Sequence, residues 1–337
     1  MSKKQLRASF PYISVIIVCR PSETPSKALQ SLSRITYPKG KYEILVIKGS
    51  HVSKQRNIAL KESHGTIVYL LDNDSQVQPN ALTIIEHAFE KKTVAAAGGP
   101  SISPLNEEIY VSKLIGYILE THFGALRMRL RYSKAGRERT ADEFDLIGAN
   151  LALRKKNVIQ IGGFDETLFP NEETELLVRL KKKGYLLNYL PELFVFRSHR
   201  KTLKLLWKQF FFYGKGRAMQ MEKTHAAKDI VFIIPVFFLF YLCFLPFLNI
   251  LWWYNLPFFS YIMLGLATAT KASIKHKQAD LLITMPVIFP IIHLAYAWGL
   301  LTQLPQIVIR NSLKSKKVFS PAQLQVTVHH RNNASGK

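Results

Sequence analysis

Two stretches of this chain, residues 230–253 and 281–304, each run for 24 residues without a Lys, Arg, Asp or Glu. They constrain the fold more than anything else in the sequence. A helix of that length, rising about 1.5 Å per residue, crosses a hydrocarbon core of about 30 Å. Pro246 interrupts the first run, and Pro286 and Pro290 interrupt the second. A third run, 256–270, is richer in Gly, Ala and Thr and at helical rise reaches about two thirds of the way across. The expectation is a transmembrane region over 229–305 with two to three spans, followed by a polar basic tail over 306–337. None of the runs is N-terminal and residues 1–10 are basic and polar, so no cleavable signal peptide is expected and the first 228 residues are expected to stay in the cytoplasm. Three spans would put the tail outside, yet Arg310, Lys314, Lys316 and Lys317 close behind the last run argue for inside. A re-entrant hairpin or a short run that does not cross would resolve the conflict.

The net charge of +23 raises a nucleic-acid reading, and its distribution removes it. The first 228 residues hold 37 of the 46 Lys and Arg and 21 of the 23 Asp and Glu. The basic excess thickens over 197–228, where Arg197, Arg200, Lys201, Lys204, Lys208, Lys215 and Arg217 interleave with Leu205, Leu206, Trp207, Phe210, Phe211, Phe212 and Tyr213. Charge with an apolar and aromatic stripe just before a span describes an interfacial helix on an anionic leaflet. An ordinary surface helix is the plainer alternative. No nucleic acid is expected as a partner; a membrane is. Cys19 and Cys243 are the two cysteines, which fits a reducing compartment and excludes a disulfide framework.

Ahead of these runs the pattern is α/β. Residues 13–19, 42–47 and 66–71 are continuous apolar strands, and 26–35 and 55–63 between them have helical spacing. Strands alternating with helices give a doubly wound, mostly parallel sheet. A short strand over 94–97 closes on Gly98-Gly99-Pro100, a helix is expected over 107–126, and 127–142, rich in Arg, reads as a mobile basic loop or lid. The third strand ends on Asp72-Asn73-Asp74. Two carboxylates at the carboxyl end of a buried strand lie where open α/β sheets bind ligands. As hard oxygen donors they suit Mg²⁺ or Mn²⁺ completed by substrate phosphate and water. A solvated turn would carry the same three residues, so the signal needs company.

Company comes from the blocks around it. Arg56-Asn57 and Ala59 precede Gly65-Thr66-Ile67-Val68. Downstream stand Gly148-Ala149-Asn150 with Arg154, Gly162-Gly163-Phe164-Asp165-Glu166, and Asn171-Glu172-Glu173-Thr174-Glu175-Leu176 with Arg179. In this order the chain resembles the family 2 glycosyltransferases of GT-A fold, and Gln209-Phe210 with 213–217 resembles the segment joining catalytic domain to membrane helices in bacterial succinoglycan-type enzymes. The resemblance covers roughly 12–218. It implies a cytoplasmic GT-A catalytic domain over 1–196, a basic aromatic interfacial helix over 197–228, and an inner (cytoplasmic) membrane, multi-pass location.

The implied reaction is inverting transfer of a sugar from a nucleotide-sugar donor to a lipid-linked saccharide acceptor in envelope polysaccharide synthesis. Such transfer needs a base on the acceptor oxygen and charge stabilisation on the departing diphosphate. The resemblance implies a divalent metal held by Asp74 with Asp72, and Glu173 as base with Glu172 beside it. It puts Arg56, Asp72 and Lys48 on the donor side and Gly148, Asn150 and Glu175 on the acceptor side. The plainer reading of carboxylates at a helix start is that they complement the helix dipole. Glu173 is one methylene longer than the family's usual Asp. Lys48 stands where an Asp usually contacts the nucleoside, and an ammonium is donor only. Arg197 stands about where many relatives carry a His and, with His199, stays outside the metal set. Two other readings remain open: a polyprenyl-phosphate sugar synthase, which needs no strong base, and a catalytically silent GT-A membrane scaffold.

Overall fold

The computed structural model describes residues 10–225, 227–248, 252–312 and 325–330. Its centre is an eight-stranded sheet, and the apolar runs build it for a simple reason. A strand buried on both faces has no polar alternation, and its odd and even side chains feed two different cores. In β1 (Ile13–Cys19), Ile13, Val15 and Ile17 join one core and Ile16 the other. After α1 (Ser26–Leu32), β2 (Tyr42–Lys48) repeats the division, with Val46 in the first core and Leu45 and Ile47 in the second. Then α2 (Val52–Glu62) leads into β3 (Ile67–Asp72), where Tyr69 and Leu71 oppose Val68 and Leu70.

The chain continues through β4 (Gln76–Val77), α3 (Ala81–Ala88), β5 (Val94–Gly98) and β6 (Ser101–Ile102) to α4 (Tyr110–Leu119) and α5 (His122–Ala125). It returns by β7 (Arg139–Thr140), β8 (Asn150–Arg154), α6 (Lys155–Gln160), α7 (Glu172–Lys182), β9 (Leu186–Tyr189) and β10 (Val195–Phe196). Strands β2, β1 and β3 are mutually parallel, β8 runs antiparallel between β3 and β5, and β9 is parallel to β5. Five of the eight strands, β1, β2, β3, β5 and β9, thus run in one direction, as expected of a doubly wound, mostly parallel sheet. Strand order turns back on itself at β1 and β3, so their carboxyl ends, with Val18 opposite Asp72, open the crevice that receives ligands. A small second sheet, β4-β10-β6, stands beside it.

The helix expected over 107–126 is two. Thr121 Oγ1 accepts the Gly124 N–H at 3.0 Å and starts a new short helix, a capping bond that periodicity does not reveal. The basic stretch after it is not a loose loop. Residues Leu126–Arg131 form a 3-10 turn, and Arg131 is buried, donating to the Phe144 and Glu143 carbonyls at 2.9 and 3.0 Å and to Thr174 Oγ1 at 2.9 Å.

Four long helices follow: α8 (Leu203–Thr224), α9 (Ile234–Leu248), α10 (Leu256–His276) and α11 (Leu281–Ser312). Among the described residues two segments are long and apolar enough to cross a membrane, Asp229–Phe247 and Leu281–Ile307, with 11% and 44% of their most apolar windows buried. The third expected run forms α10, which extends past it through Lys271 and Lys275 and is not one of these two. Helix α11 lies along α8, backbone against backbone. A Cβ on Gly299 would fall 1.9 Å from the Phe211 carbonyl oxygen, and one on Gly214 2.0 Å from that of Tyr296. Together with α4 they enclose a third core of Leu114, Ile118, Leu206, Phe210, Phe289 and Ile292. The tail, expected to be only polar and basic, contains β11 (Gln325–His330), antiparallel to β2 at the sheet edge.

Candidate active site

The carboxylates at the end of β3 are bridged by one guanidinium. Arg197 Nε donates to Asp74 Oδ1 at 2.7 Å and its Nη2 lies 3.1 Å from Asp72 Oδ2. Arg197 follows β10, so the bridge joins the small sheet to the large one. Asn73 between the two aspartates donates to Glu23 Oε2 at 3.0 Å. The aspartates hold Arg197 well above the ordinary arginine range despite the opposing effect of burial. Among the described residues no three His, Cys, Asp or Glu side chains gather in a metal-binding group. Two carboxylates already shared by one cation are nonetheless an apt pair for a hard ion that draws its other ligands from phosphate and water.

Across the crevice, α7 begins with two buried carboxylates. Asn171 enters the helix with φ of 78°, in the left-handed region Asn tolerates, and turns the first two side chains into the pocket. Glu172 Oε1 accepts from Arg56 Nη1 at 2.6 Å, while its Oε2 is buried without a partner. Burial pushes the Glu172 carboxyl up to about 7 against the lowering pull of Arg56. Glu173 stands 3.5 Å from Arg131 Nη1. Gly148 makes room for this cluster, because a Cβ there would lie 2.9 Å from the Arg56 guanidinium and 3.4 Å from Glu173 Cγ.

These groups line one polar pocket of about 370 Å³ that includes Asp72, Gly148, Glu172 and Glu173 and six arginines, Arg20, Arg56, Arg131, Arg197, Arg200 and Arg217. Such a ring suits an anionic ligand. Next to it is an apolar cavity of about 460 Å³, walled by α4, α5, α8, α9, α10 and α11. Met128, Tyr132, Tyr213 and Tyr296 line both, so the two lie side by side and share that row of side chains as a wall.

Residues 67–302 match the family model described as glycosyl transferase family group 2. The chain belongs to that family. Probable glycosyltransferase YdaM of Bacillus subtilis is 21% identical over 267 residues, 69% of this chain and 63% of that protein. Succinoglycan biosynthesis protein ExoA of Rhizobium meliloti is 32% identical over 90 residues, 26% of this chain and 27% of that one. Glycosyltransferase AglE of Haloferax volcanii is 24% identical over 243 residues, 63% and 75% of the two chains. The family 2 chain therefore spans less than two thirds of the length of the first two relatives. Among solved structures, the mannosyltransferase PcManGT of Pyrobaculum calidifontis, in complex with GDP-Man and Mn²⁺, superposes with a TM-score of 0.52 at 12% identity over 91% of this chain and 88% of that one. At that identity the likeness is one of fold.

Within this family 2 chain the sequence-named residues divide. Arg56, Asp72, Gly148, Glu172 and Glu173 meet in the polar pocket, and Asp74 stands beside it on Arg197. Asn150 does not line the pocket. It is buried in β8, where Oδ1 accepts from the Tyr69 hydroxyl at 2.7 Å and Nδ2 donates to the Leu193 carbonyl at 2.5 Å. Glu175 turns away to pair with Arg179 at 2.6 Å. Lys48, at the end of β2, lies with Nζ 3.5 Å from the Pro21 carbonyl oxygen while its neighbours Gly49 and Ser50 line the pocket. The residues that sequence reasoning missed are Met128, Arg131, Tyr132 and Tyr296. In the sequence Arg131 reads only as one arginine of the basic loop or lid over 127–142, and the other three carry no local signal.

Proposed function

We propose that this chain transfers a sugar, with inversion, from a nucleotide-diphosphate sugar to a lipid-linked saccharide at the cytoplasmic face of a membrane, in envelope polysaccharide synthesis. The observation that carries the reading is the adjacency of the polar carboxylate pocket and the apolar cavity, which share Met128, Tyr132, Tyr213 and Tyr296. A donor diphosphate needs the polar side, and a lipid carrier needs an apolar trough reaching the same reacting atoms. Family membership supports the transfer chemistry. In this reading Glu173 takes the proton of the acceptor hydroxyl as that oxygen bonds the anomeric carbon, the bond from that carbon to the diphosphate oxygen breaks, and the nucleoside diphosphate departs. Asp74 and Asp72 would hold Mg²⁺ or Mn²⁺, which supplies positive charge to the leaving diphosphate. Arg131, 3.5 Å away, aims Glu173, and Arg56 holds Glu172.

The two long apolar helices support the membrane location. Pairing of β11 with β2 supports an even number of crossings, with residues 325–330 on the catalytic side. The deciding experiment is transfer by Glu173→Gln. Loss of about 10²-fold or more in kcat with donor affinity kept is expected of a general base. The arginines at the junction favour a second reading, in which the acceptor is a lipid phosphate that is already ionised. Full activity of Glu173→Gln selects that reading.

A further inference from the structure

The guanidinium of Arg197 occupies the space between the two carboxylates on which the donor site rests. Its Nε and Nη2 engage Asp74 and Asp72 at 2.7 and 3.1 Å, one nitrogen for each carboxylate. A divalent ion held between the same two carboxylates would be a second cation in that space, repelled by the guanidinium. The guanidinium has no lone pair, so it cannot become a ligand and can only stand in the ion's place or leave. It has somewhere to go. Arg197 lines the polar pocket together with Arg20 and Arg200, and its side chain keeps 23% exposure there. Guanidinium groups bind phosphate oxygens in pairs as readily as they bind carboxylates.

We infer that Arg197 is an exchange residue: without donor it substitutes for the cation between Asp72 and Asp74, and when metal and nucleotide diphosphate arrive it yields the aspartates to the metal and takes the diphosphate. This rests on the donor reading above. Its first consequence is that metal alone binds weakly, because it has to displace a resident cation. The second is that the diphosphate strengthens metal binding in two ways, by contributing ligand oxygens and by drawing the competitor off. Binding coupling is reciprocal, so metal must raise nucleotide affinity by the same factor.

The test is Mn²⁺ binding to the full chain in detergent, read from the spin-resonance signal of free Mn²⁺, with and without UDP, GDP or TDP. In Arg197→Gln the affinity for Mn²⁺ alone rises about tenfold or more, the size of a single one-unit electrostatic interaction. Nucleotide affinity in saturating Mn²⁺ falls about tenfold, so the coupling between the two ligands shrinks. Arg197→Lys, which keeps the charge and is the gentler change to the fold, lies between, because an ammonium cannot bridge two carboxylates in the same plane. A merely structural Arg197 would weaken both ligands together, and that result, or an unchanged Mn²⁺ affinity with nucleotide still bound, overturns the exchange. If the unaltered chain binds Mn²⁺ but none of the three nucleotides, the donor reading fails and the exchange fails with it.

Discussion

His199 should make this protein sensitive to acid in a window set by one ring. Its Nε2 is buried without a partner, its ring stands beside Tyr132, and its backbone N–H donates to Ser112 Oγ at 2.8 Å. Burial, reinforced by the Arg197 charge, depresses the imidazole to about 4, opposed only in part by Glu107. An unfolded histidine titrates near 6.5. Because the folded value is the lower, the unfolded chain takes up a proton first, and stability is lost as pH falls from about 6.5 toward 4. A difference of about 2.5 units corresponds to about 3.4 kcal/mol over the whole window, of which about 2 kcal/mol is gone by pH 5. At about 2 °C per kcal/mol for a chain of this size, the unfolding midpoint should drop about 4 °C between pH 7.5 and pH 5 on this account alone. Other groups titrate in the same range, so the measurement is a difference: thermal midpoints of the parent and of His199→Gln at both pH values in one detergent. The parent should lose about 4 °C more than the variant. Parallel loss in the two proteins would refute the argument that His199 is held neutral.

Arg56→Met leaves Glu172 buried without its cation and should cost about 3–5 kcal/mol in denaturant unfolding, with a deficit larger at pH 8 than at pH 6 because the Glu172 carboxyl is neutral at the lower pH. The double variant Arg56→Met/Glu172→Gln should recover most of that loss; a double variant no better than the single one contradicts the pair's role. Gly299→Ala pushes a methyl into the Phe211 carbonyl and should lower the unfolding midpoint by the equivalent of about 1–3 kcal/mol. An unaffected Gly299→Ala would mean that the two helices separate freely. Asp74→Asn should abolish the nucleotide-dependent part of Mn²⁺ binding and transfer together without shifting the far-ultraviolet spectrum; retained metal coupling in that variant would remove Asp74 from the site.

Much of this protein is local in origin. Short continuous apolar runs rich in β-branched residues, such as 13–19 and 66–71, read as buried strands whose odd and even side chains both need a core. Asp72 and Asp74 sit at the ligand end of β3 because a strand ends where its apolar run ends. Glu172 and Glu173 open α7, and the uncharged run 281–304 lies within one long helix, whereas the run from 230 is divided among a 3-10 turn and the 15-residue α9. What only the tertiary structure decided are relations between distant segments. Arg197 reaches Asp74 across 123 positions of sequence, and Arg131 meets Thr174 across 43. Such pairs leave no periodic trace, since an arginine's partner depends on which sheet edge or helix end packs opposite it. Asn150 and Glu175 carried the same motif letters as their pocket neighbours, yet one became a buried strand's hydrogen-bond hub and the other an intrahelical partner of Arg179. Strand alternation and helical turn direct neighbouring side chains to opposite faces. The apolar cavity belongs wholly to the second kind, because its walls come from α4, α5, α8, α9, α10 and α11, helices distant in sequence that meet only in the folded chain.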